Sequence, residues 1–130
     1  MFASTSARAA DVEASVNNVG SAKGHVVCAI FGSSQGFPKD MQKALKYVRI
    51  PATLPGVTCS FPGLAAGRYA ISVLHDENDD GIMNTNLLGI PREGYGVSNN
   101  RTYATKAPNF EESQFVVETA PVALDINLKY

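Results

Sequence analysis

The strongest constraint on the fold is an alternation of period two. At the C-terminal end Val122, Leu124, Ile126, Leu128 and Tyr130 alternate with Ala123, Asp125, Asn127 and Lys129. Successive side chains of an extended strand point to opposite faces, so such a segment buries one face and wets the other. The same pattern appears at Val12, Ala14 and Val16, again at Val57, Cys59 and Phe61, and along Arg68–His75. Gly24–Phe31 is apolar on both faces and predicts a central strand, and Ser113–Glu118 predicts another. Turn signals separate these runs: Asn17–Ser21, Gly32–Gly36, Pro62-Gly63 and Ala66-Gly67. Only 38–47 reads as a helix, with Met41, Ala44, Leu45 and Val48 at helical spacing and lysines opposite. Arg49–Thr53 reads as an edge strand broken by Pro51 and Pro55. The expected architecture is mainly β: an antiparallel sandwich of about seven strands, one short helix near 38–47 and a long folded loop over 75–110.

A chain of 130 residues with 45% hydrophobic residues can bury a core as one domain, expected over 11–130. A net charge of −1 supplies no basic footprint for nucleic acid, and no apolar run reaches membrane-spanning length. Residues 1–10 end in small residues, with an A-x-A pattern at Ala7-Arg8-Ala9. They read as a signal-peptide remnant or a disordered tail; the first places the protein in the periplasm or outside the cell. Cys28 and Cys59 both lie in strand-like runs. Two readings stand: a disulfide closing a loop of about 30 residues, worth roughly 3–4 kcal/mol, or two buried free thiols.

The residue choices that look chemical lie in 75–100. Asp76-x-Asn78-x-Asp80-Gly81 matches the first half of a calcium loop, with Ile82 placed to give a carbonyl and Asn84 at the ninth position. A hard cation takes six to eight oxygens, and alternate positions of a tight turn aim theirs inward. The match ends at the twelfth position, which is Leu87 and not Glu. Asp76, Asn78, Asp80, Ile82 and Asn84 are thus candidate Ca²⁺ ligands, and the competing reading is an Asx-rich turn that caps its own backbone. No other cofactor is suggested. His75 and Glu93 are weak catalytic candidates, because neighbours on a strand point apart and nothing fixes their distance from a second group. Pro91, Tyr95, Ser98, Asn99 and Asn100 form a candidate surface for a protein, glycan or small ligand, and the preferred alternative for Tyr95, with Tyr103 and Phe110, is that these aromatics anchor the loop to the sandwich.

Several of these motifs carry a family resemblance. Gly67-x-Tyr69-Ala70, His75-Asp76-Glu77-Asn78, Gly81, Asn84-Thr85-Asn86, Leu88-Gly89-Ile90-Pro91, Glu93-Gly94-Tyr95-Gly96 and Ser98-Asn99-Asn100 occur in order, followed by Pro108-x-Phe110-Glu111 and Phe115. Together they resemble the uncharacterised bacterial family DUF2141 over about residues 11 to 130. The resemblance implies a secreted or periplasmic single domain with a transthyretin-like or prealbumin-like sandwich, and no established activity. Asn84 stands where the family often has Asp, one charge fewer for a cation. The hydroxyisourate hydrolase of the same fold is not implied, since this chain ends Asn127-Leu128-Lys129-Tyr130 and has only two histidines. The functional expectation is a non-enzymatic extracytoplasmic binding module. The alternatives are a hydrolase using His75 with Asp76 or Glu93, and an assembly module that lends a sheet edge.

Overall fold

In a computed structural model, which describes residues 9–79, 94–100 and 108–130, eight strands form two facing sheets. In chain order they are β1 (Ala9–Asn17), β2 (His25–Phe31), β3 (Lys46–Pro51), β4 (Gly56–Ala65), β5 (Gly67–Asp76), β6 (Tyr95–Val97), β7 (Phe115–Val117) and β8 (Val122–Asn127). One sheet has the order β4-β1-β8, the other β3-β2-β5-β6, with β7 also on β5. The pairings are antiparallel except β1 with β8, which run parallel from Val12↔Val122 to Asn17↔Asn127. That exception corrects a purely antiparallel sandwich. β1 already includes Ala9 and Ala10, paired with Ala65 and Leu64.

The alternating residues meet between the sheets. Val12, Ala14, Val16, Cys59, Phe61 and Ile126 come from one side, and Val26, Cys28, Ile30, Ile71 and Val73 from the other. Cys28 on β2 and Cys59 on β4 are joined by a disulfide, a covalent tie between the two sheets across this core.

Pro62-Gly63 is not a turn. β4 runs through it, and the register slips there, between Ala10↔Leu64 and Val12↔Phe61. Gly63 has φ 69°, and its N–H donates to the Asp11 carboxylate at 3.0 Å. The extra residue shifts the phase, so Leu64 is buried although Cys59 and Phe61 set the opposite parity.

The helix expected over 38–47 is a second correction. Only Met41–Lys43 forms a single 3₁₀ turn, and Ala44 is already extended. Lys46–Pro51 is drawn instead into β3 by pairing with β2 from Ile30↔Lys46 to His25↔Pro51. Two of the four spaced apolar residues still share a face, whereas Leu45 is exposed and Val48 packs on the inter-sheet core. Met41 and Ala44 pack with Phe37 on a second buried cluster of Ala29, Phe31, Ala70 and Phe110, on the outer face of the larger sheet. That cover makes β2 and β5 apolar on both faces, as central strands require. No helix among the described residues is long and apolar enough to cross a membrane.

Candidate functional site

The 75–100 segment leaves the larger sheet at the end of β5 and returns to the same strand as β6, pairing Leu74↔Tyr95 through Ser72↔Val97. Residues 80–93 lie outside the described part, and with them Asp80, Ile82, Asn84, Pro91 and Glu93. What the structure places are the two anchors of the excursion.

At the outgoing anchor, His75 is fully buried and both ring nitrogens are engaged. Nε2 lies 2.8 Å from the Lys23 carbonyl oxygen, which can only accept, so Nε2 carries the proton. Nδ1 then accepts from the Tyr130 hydroxyl at 2.5 Å. The same hydroxyl oxygen accepts the Gly20 N–H at 2.6 Å. Burial raises the Tyr130 hydroxyl above its ordinary pKa; the Gly20 hydrogen bond lowers it and the nearby Glu77 charge raises it. The ring stands edge-on to His75, centroids 5.8 Å apart. It fits because Gly20 and Gly94 have no side chain: a Cβ on Gly94 would sit 2.4 Å from the ring, and one on Gly20 2.9 Å. His75 is a structural tie. A hydrolase role needs a ring nitrogen open to substrate, and neither is.

The next residues divide their directions. Glu77 accepts from Ser21 Oγ at 2.6 Å. Asp79, at φ 56°, places Oδ1 2.7 Å from His25 Nδ1 and 3.2 Å from Arg49 Nη2. Asp76 is buried, in register with His25, and Asp79 N–H turns back to its carbonyl at 3.4 Å. Among the described residues no cluster of three His, Cys, Asp or Glu is placed to hold a metal.

At the return anchor, Tyr95, Ser98, Asn99 and Asn100 of the candidate surface are each bonded into the sandwich. Tyr95 is buried; it exchanges N–H···O bonds with Lys129 at 3.0 and 2.8 Å, and burial raises its hydroxyl pKa. Gly96 lies against Asn127 O and Ile126 Cγ2, each 2.9 Å from where a Cβ would be. Ser98 is buried. Its Oγ accepts the Ile71 N–H at 2.9 Å and donates to Ser113 O at 2.5 Å. β6 ends opposite Ser72 and β7 begins opposite Tyr69, so the Ser98 hydroxyl supplies the acceptor missing opposite Ile71. Asn99 and Asn100 are exposed at φ 67° and 53°, a region Asn tolerates, but their amides are committed. Asn99 Nδ2 donates to Gln114 O at 2.8 Å and Glu112 O at 3.2 Å. Asn100 Nδ2 donates to Asp125 O at 3.1 Å, and its Oδ1 accepts the Asn127 N–H at 2.9 Å. Ser-Asn-Asn thus braces β5, α1 (Phe110–Ser113) with the residue after it, and β8. Sequence reasoning missed this brace and the role of Tyr130; the only signal was the clustering of Gly, Ser and Asn beside a strand.

Neither the curated proteins nor the solved structures contain a match to this chain. A family model does match, over residues 14–125, and its description is an uncharacterized protein conserved in bacteria. The chain belongs to the DUF2141 family.

Proposed function

We propose that this protein is a non-enzymatic, extracytoplasmic binding module. Its sandwich presents the 75–100 segment to a protein, glycan or small ligand, and a Ca²⁺ ion stiffens that segment. The ion would be held by Asp76, Asn78, Asp80 and Asn84 with the Ile82 carbonyl. The observation that carries this reading is the division of the acidic run. Glu77 and Asp79, at the positions a calcium loop does not use for ligation, spend their carboxylates on Ser21 and on His25 with Arg49. Asp76 and Asn78 stand at alternate positions of the run, the sequence spacing at which a calcium loop places its ligand oxygens. The Cys28–Cys59 tie supports an oxidising compartment, where structural disulfides persist.

Thermal unfolding in EDTA, Mg²⁺ and Ca²⁺ tests the ion. A ligand bound only by the folded state stabilises it by RT ln(1 + [L]/Kd), about 2.7 kcal/mol at one hundred times Kd. A Ca²⁺-selective rise in Tm that Asp80→Ala abolishes is the expected result. Equal melting in EDTA and Ca²⁺ would leave the run as a self-capping turn and remove the ion from the proposal.

A further inference from the structure

β2 and β5 pair from His25↔Asp76 to Phe31↔Ala70 and then part. β5 extends further back, to Gly67, with its other edge laddered to β7 through Tyr69↔Phe115 and Gly67↔Val117. Two bonds fix which way its amides face. Ile71 N–H meets Ser98 Oγ and His75 N–H meets Gly94 O, both on the β6 and β7 side. Amides of a strand alternate in direction, so the even-numbered residues face β2. Arg68 therefore directs its main-chain N–H into the gap left where β2 has ended.

That gap is a cleft of about 450 Å³, lined by Gly32, Ser33, Lys43, Leu45, Arg68 and Tyr69 among others. Two cations thus border one opening. The ion pairs of the described residues are His25–Asp79 and Arg49–Asp79, and neither involves Lys43 or Arg68. The carboxylate next in the same segment, Asp40, caps the Gln42 N–H at 3.1 Å. Ser33 Oγ accepts from Gln35 N–H at 3.3 Å, which leaves its proton to donate. The Tyr69 hydroxyl is already given to Ala65 O at 2.6 Å.

We propose that this cleft is an anion-binding site for a carboxylate or phosphate group. Lys43 and Arg68 supply the charge, and the Arg68 N–H and Ser33 hydroxyl supply directed hydrogen bonds. Like charges around a concave opening raise the local concentration of counter-ions. Main-chain N–H groups left by an unpaired sheet edge add donors that cost no side-chain entropy. Leu45, 59% exposed, forms an apolar wall that suits an anion carried on a small hydrocarbon body.

The test is a titration of ¹⁵N-labelled protein with inorganic phosphate and, separately, with acetate, at constant ionic strength. Saturating shifts of the Arg68 and Ser33 amides are expected, with affinity at least tenfold weaker in the Lys43→Gln/Arg68→Gln double variant. Saturation by phosphate alone assigns a tetrahedral anion; saturation by acetate as well assigns a carboxylate. Linear drift with both anions, or saturation unchanged in the double variant, overturns the site. Should the double variant not fold, Lys43→Gln alone decides: weaker saturation of the Arg68 amide supports the site, and saturation unchanged from the parent protein overturns it.

Discussion

Ser98→Ala is the most direct probe of the brace that holds the return of the 75–100 segment. The hydroxyl is fully buried and makes two bonds, one from Ile71 N–H and one to Ser113 O. Alanine leaves a buried N–H without its acceptor, which costs about 1–3 kcal/mol. The Ser113 carbonyl also loses a donor, a smaller cost because a carbonyl has a second lone pair. The sum is about 2–4 kcal/mol, a large share of the 5–15 kcal/mol of a typical domain. With a urea m-value of about 2 kcal/mol per molar, the midpoint should fall by about 1–2 M. Equilibrium urea unfolding under oxidising conditions measures this, and hydrogen exchange adds a local readout. The Ile71 amide should lose protection relative to Val73, whose amide faces the same side but is opposite β6 itself. A loss under about 0.5 kcal/mol, or an Ile71 amide as protected as before, would mean that water replaces the hydroxyl and that the brace is not what closes this lane.

The remaining predictions concern the other anchors. Tyr130→Phe removes the hydroxyl shared by Gly20 and His75 and should cost about 1–2 kcal/mol, read by chemical denaturation. Gly94→Ala forces a Cβ to 2.4 Å from the Tyr130 ring and should cost about 1–3 kcal/mol; in a Tyr130→Ala background most of that penalty should vanish, which a double-mutant cycle detects. Reducing the Cys28–Cys59 bond, whose sequence separation is 31, should lower stability by about 3–4 kcal/mol, seen as a drop in Tm with dithiothreitol. Tyr95 and Tyr130 both have raised hydroxyl pKa values, so the folded state holds their protons longer than the unfolded chain does. Their contribution is complete below the ordinary value near 10 and is lost as pH rises through the folded values; Tyr130→Phe should flatten part of that alkaline decline.

The alternations at Val12–Val16, Val57–Phe61, Arg68–His75 and Val122–Ile126 determine β1, β4, β5 and β8, because one face of each must leave water. Gly24–Phe31 likewise determines a central strand, since only a strand covered on both faces tolerates that run. Periodicity says nothing about partners, so the parallel β1–β8 pair, the bulge at Pro62-Gly63 and the capture of Lys46–Pro51 by β2 were decided by the tertiary structure. The same holds for the 75–100 motifs. The sequence marks Gly94, Tyr95, Gly96, Ser98, Asn99 and Asn100 as unusual, yet their residue types suit a ligand surface and a main-chain brace equally well. Polar side chains bond whatever main chain the fold brings near. Only the assembled sandwich, with Tyr130 laid over Gly94 and Asn127 against Gly96, determines that these residues hold the molecule shut.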